Sequence, residues 1–266
     1  RPIVVVVATT SDAERLTGDL AAYVGESGVA QLPAWETLPF ERVSPTVETM
    51  GQRSKVMSQL RRDDGPTIVV APIRALIQRV PPTVSEIAPL VIGVGDQIDP
   101  HDVIEHLVNW GYRRDAQVEH RGDVALRGSI LDIYPSTEGA PIRIDLFDTE
   151  VDRMTEFAVA TQRSTGVRSE VEIYPARELL VNRDMADRAE ALIATAPWGR
   201  EHWQRLADGE FFDGMESWLP WLIDDDEALP DLLGAEAQIV LIDPTRLRTR
   251  AEDLLAEEHD IAASLA

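Results

Sequence analysis

The sequence predicts an α/β domain interrupted by a smaller α+β domain. Three observations carry this. Ile3-Val-Val-Val-Val-Ala8 is a continuous apolar run followed at once by a helical pattern. Thr67–Ala71 repeats that strand-then-helix order, and Ala237–Ile242 with the helix from 245 repeats it a third time, near the other end of the chain. Between these units, from Pro89 on, short strands at period two replace the buried runs. Uniformly apolar strands alternating with helices are the signature of parallel sheet covered on both faces, whereas hairpins at period two signal a sheet with one wet face. The division expected is 1–89 and 176–266 for the α/β domain and 90–175 for the small one.

Taken in order, Ile3–Ala8 is a buried parallel strand, and Ser11-Asp-Ala-Glu14 reads as a capping box opening a helix with Leu16, Leu20 and Val24 inside. Residues 47–62 have helical spacing. Thr67–Ala71 is the next buried strand, and Ile73–Val80 a short helix stopped by Pro81-Pro82. Leu90–Val94 is strand-like, and 100–110 is a helix burying Val103, Ile104 and Leu107. Arg127-Gly-Ser-Ile-Leu-Asp-Ile-Tyr134 and Pro141-Ile-Arg-Ile-Asp-Leu-Phe-Asp148 read as the two arms of an antiparallel hairpin turning through Pro135, Gly139 and Pro141. Asp152–Val159 and Glu170–Tyr174 are further strands. Beyond Ala176 the pattern is helical, with Leu179, Ala186, Ala189, Leu192 and Ile193 at core spacing. A tryptophan-rich stretch (Trp198, Trp203, Trp218, Trp221) and an acidic loop, Asp224–Glu227, precede the final buried strand, Ala237–Ile242.

The second hairpin arm is the most informative stretch. Period two puts Ile142, Ile144 and Leu146 on a core face and Arg143, Asp145 and Phe147 on the opposite one. In even register Arg127 joins the second face. Arginine and aromatic residues together are what interface hot spots use, because they bury much area and still satisfy polar partners. The plain alternative is an Arg143–Asp145 surface pair, with Phe147 buried against a neighbouring domain.

Composition narrows function. With 47 acidic against 25 basic residues, the formal charge of −22 repels phosphate backbones, so non-specific nucleic-acid binding is disfavoured. The absence of cysteine excludes disulfides, thiolate zinc sites and cysteine nucleophiles. The longest apolar run is a strand's length, far too short to span a bilayer, and a cytoplasmic location is the expectation. No Gly-Lys dipeptide exists, so no phosphate-binding loop of the Gly-Lys-Ser/Thr kind can form, and Gly93-Val-Gly95 lacks the third glycine of a dinucleotide fingerprint. The histidines are scattered; His101 and His106 lie five apart, on different helix faces. Asp226-Glu227-Ala228-Leu229 has the letters of a helicase acidic motif without the apolar strand that should precede it. No catalytic, cofactor-binding or metal-binding residues are expected.

Several co-linear blocks then resemble one family. Trp35-Glu-Thr-Leu-Pro-Phe-Glu-Arg-Val-Ser-Pro45, Gln78-Arg-Val80, Gly111-Tyr-Arg113, Arg127–Pro135 and Ile144–Asp152 are similar to the N-terminal region of bacterial transcription-repair coupling factors, the Mfd family. Gly214-Met-Glu-Ser-Trp218 carries the likeness more weakly beyond 185. The resemblance implies a module homologous to the excision-repair protein UvrB: a degenerate, RecA-type helicase-like domain interrupted by a small domain that binds UvrA. It also implies that the contact is made by Arg127, Arg143 and Phe147, the residues that strand alternation can place on one face. It further implies that the chain is part of a longer protein. An ATP- and Mg-driven motor, an RNA-polymerase-binding domain and DNA contacts would then lie in other segments. UvrB's tyrosine-rich DNA-threading hairpin has no counterpart in residues 31–66, which contain no tyrosine. A UvrB-like DNA-damage-binding domain is the competing expectation.

Overall fold

A computed structural model describes residues 2–38, 41–62, 65–81, 83–84, 87–223, 228–233 and 237–265. The acidic run Asp224–Glu227, Pro82, and Pro39 and Phe40 of the Trp35–Pro45 block lie outside these residues.

The chain opens with strand β1 (Ile3–Val7), helix α1 (Thr10–Val24) and a short strand β2 (Val29–Gln31). Helix α2 (Val47–Gln59), strand β3 (Ile68–Pro72) and the single-turn helix α3 (Ile73–Ile77) follow. The small unit comprises β4 (Leu90–Gly93), α4 (Pro100–Asn109), β5 (Arg113–Arg114), β6 (Asp123–Arg127), β7 (Ile130–Ile133), β8 (Ile142–Phe147), β9 (Glu150–Ala158), β10 (Arg163–Arg168) and β11 (Glu170–Ile173). The chain then runs through α5 (Arg183–Thr195), α6 (Arg200–Ala207), α7 (Leu219–Leu222), α8 (Leu229–Leu232), β12 (Gln238–Leu241) and α9 (Pro244–Leu265).

The first sheet is parallel, in the order β12-β1-β3-β2. Val4 and Val6 point into one apolar cluster, with Val69, Ala71, Val56, Met57, Leu247 and Leu254, while Val5 and Val7 point into the other, against Ala13 and Val70. Both faces are covered, which is why the strand reads as unbroken valine. The sheet is closed by a strand more than two hundred residues downstream of β1 and so surrounds everything between them. Helix α1 begins two residues earlier than the Ser11 box suggests. Thr9 caps it, accepting from the Asp12 N–H and donating to the Asp12 carboxylate at 2.8 Å. The last strand is also not buried as its composition suggests. Among the described residues β12 pairs with β1 alone, and Ile239, Val240 and Leu241 are exposed at this edge.

The second sheet has the order β10-β9-β8-β7-β6-β5, antiparallel except for the β5–β6 pair. Its inner face (Val124, Leu131, Ile133, Ile142, Ile144, Leu146, Met154) closes on α4 and on the β4–β11 ladder. Here the expected hairpin is redrawn. Arg127 and Ile130 are opposite each other across a two-residue turn, Gly128-Ser129, so the run 127–134 belongs to two strands rather than one. Gly128 has φ +64°, the conformation this turn demands and glycine alone adopts without strain. Strands β2 and β10 escape the period-two reading because one is three residues long and the other almost wholly polar.

Residues 179–223 build a helical core of their own around Trp203, Trp218, Met215 and Phe212, and only from Leu229 onward does the chain rejoin the first core. Helix α2 joins these parts. Gly51 lies against Ser136 of the small unit so closely that a Cβ would fall 2.4 Å from the serine side chain. Arg53, fully buried, donates from Nε (2.8 Å) and Nη2 (3.0 Å) to the equally buried carboxylate of Glu178. Trp35 Nε1 donates to the same carboxylate at 2.6 Å, and Arg53 Nη1 donates to the Pro33 carbonyl at 2.9 Å.

Removing one member of such a pair strands a charge in the interior. Arg53→Met is therefore expected to cost about 3–5 kcal/mol, and the double variant Arg53→Met/Glu178→Leu distinctly less than the sum of the two single changes. Urea unfolding of the four proteins measures both values.

Candidate docking face on the second sheet

The outer face of the second sheet carries the residues singled out by alternation. Its cross-strand rows follow from the register: Ala125, Asp132, Arg143 and Thr155 form one row, and Arg127, Ile130, Asp145 and Arg153 the next. Phe147, at the end of β8, faces Glu150 beyond them. Arg127, Arg143 and Phe147 thus share a face, with Ile142, Ile144 and Leu146 buried on the other side.

The centre of this face is a residue that sequence reading passed over. Asp132 is fully buried, and its Oδ1 accepts from Arg143 Nε at 2.8 Å. Its Oδ2 accepts from Arg143 Nη2 at 2.8 Å and from Arg127 Nη2 at 2.5 Å. The carboxylate holds the Arg143 guanidinium above its ordinary pKa, chiefly through these hydrogen bonds. Arg143 is further fixed by stacking 4.5 Å over the Phe157 ring and by donating Nη1 to the Gln162 carbonyl at 3.0 Å. Gln162 is held in place by donating to the Val118 and Val159 carbonyls. The loop carrying Val118 thus covers one end of the face, where Val118, Ala125 and Phe157 form a small apolar cluster.

The three expected residues are consequently not equivalent. Arg143 is only 15% exposed and most of its donors are engaged, so in the free chain it is the least open of the three. Arg127, 42% exposed, gives one hydrogen bond to Asp132 and keeps its other donors at the surface. Phe147 is 78% exposed. Neither half of the plain alternative is present: Asp145 pairs with Arg153 (2.9 Å) rather than with Arg143, and Phe147 is buried against nothing in the described chain. Phe147 sits between two hairpin tips at the same end of the sheet. It precedes the Asp148-Thr149 turn, in which Asp148 takes φ +58°, and the Leu146 N–H donates to the Ser129 carbonyl at 2.8 Å. A large aromatic held in solvent by two tight turns costs little entropy when a partner covers it. The signal for Asp132 was present in the sequence, since aspartate is disfavoured inside strands and Leu131 and Ile133 flank it with core residues.

In Arg121-Gly-Asp123 the Asp123 carboxylate accepts from the Glu119 and His120 N–H groups and from Arg113. Among the described residues no group of three or more His, Asp or Glu side chains is arranged to hold a metal ion, and no helix is long and apolar enough to cross a membrane.

Comparison with known proteins assigns the same region. Residues 90–179 match the family described as the UvrB interaction domain. Over 96% of its length the chain is 37% identical, across 274 aligned residues, to the transcription-repair-coupling factor of Mycobacterium tuberculosis (strain CDC 1551 / Oshkosh). The chain belongs to the transcription-repair-coupling factor family. The Bacillus subtilis (strain 168) factor is 29% identical over 100% of this chain, and the Haemophilus influenzae Rd factor 31% over 94%. The chain spans 22–24% of the length of these coupling factors. The candidate face therefore lies wholly within the residues that match the UvrB interaction domain.

The geometry separates support from contact. Arg143→Ala leaves Asp132 buried with a single remaining hydrogen bond, and a loss of about 2–4 kcal/mol of stability is expected. Phe147→Ala should change stability by no more than about 0.5 kcal/mol, and Ile144→Ala should cost about 2–5 kcal/mol through the cavity it opens. Equilibrium urea melts of the three variants check the order.

Proposed function

We propose that this chain is a non-catalytic docking module that recruits UvrA, through the outer face of its second sheet, to lesions where RNA polymerase has stalled. The observation that carries the reading is Phe147. It is an aromatic held exposed beside a pre-arranged arginine, on a UvrB interaction domain, in a chain otherwise strongly acidic. Arg127 and Phe147 are the contact residues, Arg143 holds Arg127's partner Asp132 in place, and Ile142, Ile144 and Leu146 form the floor. The segments of the parent factor outside this chain would supply an ATP- and Mg-driven DNA translocase and the contact with RNA polymerase.

Binding of purified UvrA to this chain, without DNA, tests the reading directly. Phe147→Ala and Arg127→Ala should each weaken the complex by about thirty- to a thousand-fold, the range of hot-spot truncations costing about 2–4 kcal/mol. Normal binding by Phe147→Ala sinks the assignment of this face. The rival reading, a UvrB-like domain that binds damaged DNA, is opposed by the charge of −22. Duplex or bubble DNA is expected to bind only weakly at physiological salt, and ATP–Mg to leave the melting temperature unchanged. A nucleotide at a hundred times its dissociation constant would instead add about 2.7 kcal/mol.

A further inference from the structure

Among the described residues three large apolar side chains are more than three-quarters exposed: Tyr23 at 87%, Val167 at 83% and Phe147 at 78%. Tyr23 lies at the end of α1, on the first domain. Val167 and Phe147 belong to the same sheet, and the register puts them on the same face. Thr155 pairs with Arg143 on one side and with Val167 on the other, so Val167 extends the row Ala125–Asp132–Arg143–Thr155 onto the edge strand.

The strand's bulge creates this placement. Ser164 pairs with Phe157 and shares its face, as the 3.2 Å contact between the Ser164 and Thr155 hydroxyls shows. Strict alternation from Ser164 would turn residue 167 to the inner face. The register instead shifts between Ser164 and Gly166, which re-aims Val167 outward and turns Arg168 inward, where it pairs with Glu156 (2.6 Å) and Glu138 (3.1 Å). Edge strands are ordinarily blunted by charge. Here the charged residue is turned to the inner side and the bare valine to the docking side.

We propose that Val167 is a second apolar anchor for UvrA, so that the recognition face runs from Arg127 and Phe147 across β9 to the edge strand. This rests on the UvrA reading above. Two strand spacings and four residues along the strand separate the anchors by about 16 Å. One side of a standard interface covers about 800 Å², roughly 28 Å across, so a single partner reaches both. Between them lie Arg143, Asp145, Arg153 and Thr155. The face is then two apolar points with a charged saddle between them, and a partner surface needs two shallow apolar pockets flanking polar groups.

The test measures UvrA binding and melting for the full chain and for Val167→Asp, Val167→Thr, Phe147→Ala and Tyr23→Ala. Val167→Asp should weaken binding at least tenfold and Val167→Thr, nearly isosteric and β-branched, several-fold, both with unchanged melting. Tyr23→Ala should bind as the parent chain does. If both Val167 variants bind within twofold of the parent while Phe147→Ala is weakened, the inference fails and the UvrA reading stands. It fails in the same way if Val167→Thr binds normally and Val167→Asp melts low. If Phe147→Ala also binds normally, the UvrA reading falls and the inference with it.

Discussion

The structure depends most on the buried ion pair between Arg53 and Glu178. Arg53 projects from α2, which packs Val56 and Met57 against the first sheet, and Glu178 lies just past β11, where the chain leaves the small unit. Neither side chain touches water, so each charge is stable only because the other is there and because Trp35, Pro33 and Gln78 complete the hydrogen bonds. A parallel sheet that closes through a strand from the far end of the chain must hold an insertion in a fixed place. The pair does this at the insertion's exit, and Gly51 of α2 against Ser136 does it two residues earlier on the same helix. One residue before Glu178, Arg177 donates to the buried Glu216 and to Ser44, tying the helical core of 179–223 to the same junction. Burial drives the Glu216 carboxyl above its ordinary pKa, and Arg177 and Ser44 oppose that shift.

Asp132 repeats this chemistry with a different outcome. Like Glu178, it is a buried carboxylate held by bidentate arginine. Glu178 has its arginine wholly inside, and the interaction ends there. Asp132 lies beneath an open sheet face, so the second arginine it holds, Arg127, retains unused donors at the surface. A flexible surface arginine must give up rotamer freedom on binding; one already oriented by a buried carboxylate gives up less. The same geometry gives Arg143 a holding part in the free chain, because its guanidinium is spent mainly on Asp132 and Gln162.

Legibility in the sequence followed physical locality. The valine strand, the helix burying Val103, Ile104 and Leu107, and the alternation in Ile142–Phe147 were readable because each element's own neighbours determine its face. Features that depend on distant partners were not. Composition makes Ala237–Ile242 look buried, yet among the described residues it pairs with β1 alone. Arg127–Tyr134 reads as one strand when Gly128-Ser129 is taken as strand interior, although a Gly-Ser pair between apolar residues is itself a two-residue turn signal. At the site, alternation could bring Arg127, Arg143 and Phe147 to one face but could not rank them. The ranking comes from Asp132, Phe157 and Gln162, which lie 11, 14 and 19 residues from Arg143 in the chain and meet it only in the fold.

Charge and apolar exposure act together on this surface. With 47 acidic residues against 25 basic, an acidic partner or a phosphate backbone meets repulsion over most approaches. Arg127 and Arg153 are cationic groups on the outer face, and each already has a carboxylate beside it, Asp132 and Asp145. The face therefore offers hydrogen-bond donors without a strong net positive field, which suits a structured protein surface better than a polyanion. Specific affinity must then come chiefly from covering apolar area that the free chain leaves in water, and Phe147 at the hairpin tips supplies it in a fixed position. In the proposed complex the arginine donors would set the orientation of the partner, the aromatic would supply burial, and the acidic remainder of the chain would discourage other encounters.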